Sequence, residues 1–172
     1  ADPALEPKPA SEATIAAQKA EKASLPAEDG RDLEFAQQGF IATRADPIIR
    51  AKDGRPVWNL DAYKWMEGNA PTTVNPSLWR HMTVLRHHGL YKVTDNIWQV
   101  RGFDVSNMTV IKGQTGWILI DPLTTRETAA AALELVNKEL GARPVTGVIY
   151  SHSHGDHFGG ARGSAGVDQP GF

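Results

Sequence analysis

Three of the chain's six histidines and one carboxylate fall within the segment Ser151-His152-Ser153-His154-Gly155-Asp156-His157. In extended backbone, residues i and i+2 project to the same side, so His152 and His154 can offer ring nitrogens to one metal ion. Asp156 and His157 follow where the backbone must turn, and can face a second ion. Imidazole with carboxylate suits zinc, and also iron or manganese. Two ions roughly 3.5–4 Å apart can hold a water between them, lower its pKa and polarise an ester or amide oxygen, which is hydrolytic chemistry. The competing reading is a histidine-rich exposed loop whose rings bond locally. Four ligand-type side chains at this spacing, straight after a strand, favour the metal site.

Positioning these residues falls to the elements before them. Residues 145–150 are a short apolar run that reads as a buried strand, and 117–121 form another. Between them Thr124-Thr125-Arg126-Glu127 reads as a capping box opening an Ala/Leu-rich helix that Gly141 closes. Strand, helix and strand make a βαβ unit with parallel strands and a right-handed crossover. Ligands gather at the carboxyl ends of parallel strands, so Asp121 and His152 are expected side by side. Asp121 then either orients a ligating histidine through its other ring nitrogen or caps the turn before Pro122. Residues 90–94, 97–101 and 106–112 are β-prone and, with 117–121, predict an antiparallel meander joined by Asp95-Asn96 and Gly113-Gln114-Thr115-Gly116.

Upstream, residues 1–10 are Pro-rich and expected to be poorly ordered. Residues 11–24 predict a solvated helix with little to bury. Asp32 is the expected N-cap of a short helix through Gln38, stopped by Gly39. Residues 47–50 and 56–60 flank the turn signal Lys52-Asp53-Gly54-Arg55 and predict a hairpin. Residues 61–68, with Tyr63, Trp65 and Met66, read as a further short helix. Asn75-Pro76 starts another, Gly89 stops it, and Leu78, Met82 and Leu85 are its expected apolar face. His81, His87 and His88 lie on or at the end of that helix. The helix dipole alone favours histidine there, and no carboxylate stands at ligand spacing, so they are not expected to bind metal.

The 172 residues allow one domain with a real core. A net charge of -2 gives no basic field, so no nucleic-acid partner is expected. No apolar run reaches spanning length. Without cysteine there are no disulfides or thiolate ligands, which leaves any metal to histidine and carboxylate. The start at Ala1 reads as a mature or trimmed terminus, which fits an exported protein or an edited chain.

The motif His152-Ser153-His154-Gly155-Asp156-His157, entered from a strand and preceded by Ile118-Leu-Ile-Asp121 and a helix, resembles the H-x-H-x-D-H signature of the metallo-β-lactamase superfamily. Trp98-Gln-Val-Arg-Gly-Phe-Asp-Val-Ser-Asn107, Gly116-Trp-Ile-Leu-Ile-Asp-Pro-Leu123 and Val148-Ile-Tyr-Ser-His-Ser-His-Gly-Asp-His-Phe-Gly-Gly160 look like its alkylsulfatases, as do Asn59-Leu-Asp-Ala-Tyr63 and Asn75-Pro-Ser-Leu-Trp-Arg80. The resemblance implies an α/β fold, the N-terminal half of a metallo-β-lactamase-like αββα sandwich preceded by a mostly helical N-terminal extension. On that basis residues 1–31 are a flexible and helical extension, 32–89 a helical wrap segment and 90–172 the first part of the metallo-β-lactamase-like domain. It also implies two zinc ions, His152 and His154 on one and Asp156 and His157 on the other, with Asp156 as catalytic residue. The implied reaction, in the complete enzyme, is hydrolysis of linear alkyl sulfates, such as dodecyl sulfate, to alcohol and sulfate. A homodimer and a periplasmic or secreted setting, with a cytoplasmic one as the alternative, complete the implication.

That family continues well beyond this motif, whereas after His157 the only further ligand-type side chain is Asp168, and residues 165–172 do not look like the family's continuation. The chain is therefore expected to be an N-terminal, truncated part, with two side-chain ligands per ion and a sheet face and edge left open. The rival readings are another hydrolase of the same fold (lactamase, thioesterase, lactonase or phosphodiesterase) and a non-catalytic metal-binding fragment. Arg101 and Arg162 read as ordinary surface or structural residues.

Overall fold

A computed structural model describes residues 8–164; the first seven residues and Asp168 with its neighbours lie outside the described residues. Helix α1 (Glu12–Ser24) is capped by the Ser11 hydroxyl, which accepts from the Thr14 N–H at 3.2 Å, and it buries no residue. Helix α2 (Arg31–Gln37) corrects the expected cap: it begins after Gly30, whose φ of 78° turns the chain without a side-chain bond. Asp32 sits inside the first turn instead, 3.0 Å from Arg80 Nη2. Strand β1 (Phe40–Ala42) is too short to announce itself by alternation. Strands β2 (Ile48–Arg50) and β3 (Pro56–Asn59) pair antiparallel as the expected hairpin.

The helix expected over residues 61–68 does not form. Asn59 Oδ1 accepts from the Asp61 N–H at 3.0 Å, a local turn that competes with helix. Ala62, Lys64 and Met66 then bond to carbonyls three residues back, as successive turns. Helix α3 (Pro76–Leu85) starts as expected, Asn75 Oδ1 accepting from the Ser77 and Leu78 N–H groups. Its buried face is not the expected one. Trp79 is buried, with its indole N–H on the Gly68 carbonyl and its ring edge against Trp65, while Leu78 and Leu85 are more than half exposed.

Strands β4 (Gly89–Thr94), β5 (Ile97–Arg101), β6 (Met108–Lys112) and β7 (Trp117–Ile120) form the antiparallel meander. Helix α4 (Arg126–Leu140) follows, and strand β8 (Val145–Ile149) returns parallel to β7. Two single turns, α5 (Gly155–Phe158) and α6 (Ala161–Ser164), end the described chain. The α4 capping box lies one residue further on than expected: Thr125 is the cap and Thr128 its reciprocal partner, because the Thr124 hydroxyl is drawn off to Asp104.

The six strands run in the order β1-β4-β5-β6-β7-β8. Alternation along the strands buries Leu90, Trp98, Val100, Met108, Val110, Trp117 and Leu119 in one core with Ala132, Leu135 and Val136 of α4. Each large apolar side chain so buried contributes about 1.5–3 kcal/mol. Trp117 Nε1 donates to Asn137 Oδ1 at 2.8 Å, fixing α4 on the sheet. The other face carries Ile97, Ile111 and Ile118 in register, only partly buried, and Ile149 is half exposed. This is the α/β architecture expected: one sheet with its helix layer, and an open second face.

Candidate metal centre

The parallel strands β7 and β8 end together, the Asp121 N–H donating to the Ile149 carbonyl at 3.0 Å. The chain then turns sharply: Asp121 has φ 56° and Leu123 φ 64°, both left-handed and neither glycine. That turn points the buried Asp121 carboxylate at the histidine segment. Oδ1 accepts from the Ser151 N–H at 2.7 Å, and Oδ2 accepts from the Ser151 hydroxyl at 2.6 Å. His157 Nδ1 lies 2.9 Å from the same Oδ2. Both readings of Asp121 left open by the sequence come together here, since it shapes the turn and orients a histidine. Burial pushes its pKa up, but the bonds from Ser151 and His157 outweigh this and leave it below the ordinary carboxylate value.

These bonds decide where the ring protons sit. An ionised carboxylate only accepts, so His157 Nδ1 carries a proton. Ser151 has one hydroxyl hydrogen, used on Asp121, so its oxygen can only accept from His152 Nδ1, 2.8 Å away. His152 is therefore also protonated at Nδ1. Both rings are left with Nε2 turned to the cluster, the nitrogen available to a metal.

The structure brings all four expected site residues together. His152 Nε2 stands 3.0 Å from His154 Nδ1, and His157 Nε2 stands 3.3 Å from Asp156 Oδ2. The His152 and His157 rings lie 4.0 Å apart. Two donors bound to one tetrahedral zinc at about 2.0–2.2 Å stand roughly 3.3–3.5 Å apart, close to both separations. The second pair adds an electrostatic argument. An unprotonated Nε2 facing a carboxylate oxygen sets lone pair against lone pair, which only a further proton or a cation relieves. The donor set therefore fits a metal in pairs; among the described residues no three His, Asp or Glu side chains are already arranged around one point.

Ser151, Asp104 and Ser106 belong to this region without having been singled out in the sequence. Ser106 donates its hydroxyl to the Asp156 carbonyl. Asp104, only 6% exposed, holds the start of α4. A serine or aspartate in a loop looks the same whether exposed or buried, so only the tertiary structure reveals them; the one signal was their place, Ser151 beside His152 and the other two in the Phe103-Asp104-Val105-Ser106 loop.

The other histidines lie elsewhere. His88 Nδ1 meets Thr43 Oγ1 at 2.7 Å and its Nε2 meets Asp61 Oδ1 at 3.3 Å, a carboxylate brought in from outside the helix. His87 is held below the ordinary histidine pKa by burial, then by Arg86 and His88. Arg101 lies over the Tyr91 ring at 4.5 Å and donates to Gln99 Oε1, and Arg162 is exposed, both consistent with structural or surface roles.

Comparison with known proteins shows what the chain is similar to. A family profile described as the metallo-β-lactamase superfamily matches residues 101–167. The chain is 49% identical over 140 residues to an alkyl/aryl-sulfatase of Saccharomyces cerevisiae, covering 81% of this chain and 22% of that one. It is 46% identical over 158 residues to a linear primary-alkylsulfatase of a Pseudomonas species, covering 91% of this chain and 23% of that one. The solved structure of a stereoselective inverting sec-alkylsulfatase from Pseudomonas superposes with a TM-score of 0.87 at 45% identity, over 93% of this chain and 25% of that one. The chain thus spans about a quarter of the length of these relatives. With its sheet, its strand-end aspartate and its histidine turn in the arrangement described, the chain is similar to these alkylsulfatases, and its residues 101–167 match the metallo-β-lactamase superfamily.

Proposed function

We propose that this chain carries the histidine–aspartate part of a two-zinc centre for hydrolysis of linear alkyl sulfates to alcohol and sulfate. The observation behind it is the hydrogen bonding of Asp121 to His157 Nδ1 and of Ser151 to His152 Nδ1, which leaves both Nε2 atoms turned to one cluster. His152 and His154 would hold one zinc, and Asp156 and His157 the other. When bound, zinc lowers the pKa of a coordinated water and polarises an ester oxygen. The chain's own part is orientation. Asp121 holds the His157 ring and, through Ser151, the His152 ring, while Ser106 holds the backbone of Asp156. Asp156 is the catalytic candidate, because its Oδ2 is the carboxylate oxygen beside His157 Nε2.

The names of the relatives support the sulfate ester and the alkyl chain. An exported setting and a homodimer are part of the same proposal, supported by the family resemblance alone. No helix among the described residues is long and apolar enough to cross a membrane. For the complete enzyme, zinc-dependent release of sulfate from dodecyl sulfate, lost in His157→Ala, is the result expected. Zinc uptake with no release would leave the second reading, a metal-binding chain without turnover. That reading is favoured by one observation, the lack among the described residues of three side chains arranged on one point.

A further inference from the structure

The turn that aims Asp121 is strained. A leucine at φ 64° is an outlier that the surrounding structure must enforce, at a cost on the order of 1–3 kcal/mol. Two sets of contacts hold it. On one side lie the glycines of the histidine segment: the Gly160 N–H donates to the Leu123 carbonyl at 2.9 Å, and a Cβ on Gly159 would stand 2.2 Å from the Thr124 carbonyl oxygen. On the other side lies Asp104, in the loop between β5 and β6. Its Oδ1 accepts from the Thr124 hydroxyl at 2.6 Å and from its neighbour Val105 N–H. Its Oδ2 accepts from the Thr124 N–H at 3.1 Å and from the Thr128 hydroxyl. Four donors therefore converge on one buried carboxylate, and three of them come from the end of the strained turn and the first turn of α4.

We propose that Asp104 is a positioning residue for the histidine cluster: by gripping Thr124 and Thr128 it holds the Asp121–Leu123 turn in its left-handed conformation, and so keeps the Asp121 carboxylate on Ser151 and His157. The inference rests on reading the cluster as a metal centre only for its effect on metal binding; its effect on His157 does not need the metal. Asp104 touches none of the ligand side chains, and acts through the backbone of the turn. Ser106, two residues on, ties the same loop to the Asp156 carbonyl, so one loop braces both sides of the cluster.

Asp104→Asn tests it. The amide nitrogen would face donors whichever way it turns, since both oxygens now accept. On the metal-free full chain, the His157 Nδ1 proton, shared with Asp121, should give a slowly exchanging downfield signal in proton–nitrogen spectra. In Asp104→Asn that signal is expected to broaden or disappear, and the affinity for Co2+, followed by its visible absorption, to fall ten- to a hundred-fold. Thr124→Val, which removes only the hydroxyl donor, should move both readouts the same way by less, and Thr124→Ser, which keeps it, should leave them as in the wild type. Should Asp104→Asn fail to fold, the Thr124 pair carries the test. An unchanged His157 signal in Asp104→Asn, or in a folded Thr124→Val, overturns the proposal. A wild-type chain that takes up no Co2+ while the His157 signal still responds overturns the metal-centre reading and leaves the positioning role standing.

Discussion

Replacing Asp121 by Asn keeps the size of the side chain and removes one acceptor. With its oxygen on the Ser151 N–H, the new amide nitrogen replaces Oδ2, which now accepts from the Ser151 hydroxyl and His157 Nδ1. If the amide flips, its nitrogen meets the Ser151 N–H instead, donor against donor. Either way two bonds to a charged oxygen weaken or vanish. Bonds to charged groups contribute about 1.5–3 kcal/mol each, so with partial rearrangement the metal-free chain should lose about 2–4 kcal/mol. For a chain of this size that lowers the melting temperature by roughly 5–15 °C. The chemical effect is more specific. With the amide nitrogen in the Oδ2 position, the orientation that spares the Ser151 N–H, His157 Nδ1 becomes the acceptor, its proton moves to Nε2, and the nitrogen aimed at Asp156 is blocked. Metal affinity should therefore fall ten- to a hundred-fold. Thermal melting by circular dichroism gives the first quantity and Co2+ titration the second, with nitrogen chemical shifts of the His157 ring reporting the tautomer. If Asp121→Asn melted with the wild type and kept Nδ1 protonated, the tautomer argument would be refuted.

Other parts of the structure make separate demands. In Gly160→Ala the new methyl would stand 2.2 Å from the Pro122 carbonyl oxygen and 2.6 Å from that of Thr125, so the strained turn must move; a melting temperature within 1–2 °C of wild type, on the order of experimental error, would contradict the packing described. Leu119→Ala empties a fully buried position between sheet and α4 and should cost about 2–5 kcal/mol in urea unfolding. His87, held below its ordinary pKa of 6.5 by burial, then by Arg86 and His88, prefers to be neutral in the folded chain. The unfolded chain then binds the proton more readily, so His87 costs no stability at neutral pH and lowers it as pH falls through 6.5 towards the folded value. Unfolding free energy measured between pH 7.5 and about 5 should fall less steeply in His87→Gln than in the wild type; equal slopes would contradict the burial argument.

What the sequence made legible was periodic or chemical. Alternation in Ile97–Arg101 and Met108–Lys112, the turn residues between strands and the long Ala/Leu-rich helix were enough for the meander and the βαβ unit, and so for Asp121 beside the histidines. Choices between near-equal local options were not legible. Asp32 and Gly30 could each begin α2, and the pairing of Asp32 with Arg80, far along the chain, decided it. Leu78, Met82 and Leu85 have helical spacing, yet Trp79 took the interior because Trp65 and the Gly68 carbonyl receive it. The four-residue identity of the cluster was readable, but its wiring was not. That Asp121 touches His157 directly and His152 only through Ser151 depends on a turn with two left-handed non-glycine residues, a conformation that local preference argues against.

The central claim is that His152, His154, Asp156 and His157 form a metal centre. Metal content by mass spectrometry, on the purified chain and on His152→Ala/His154→Ala prepared in parallel with zinc, tests it most directly. The expected result is zinc in the wild type, with the variant folded but losing the ion assigned to that histidine pair. Equal zinc in the two proteins, or none in a folded wild type, would contradict it.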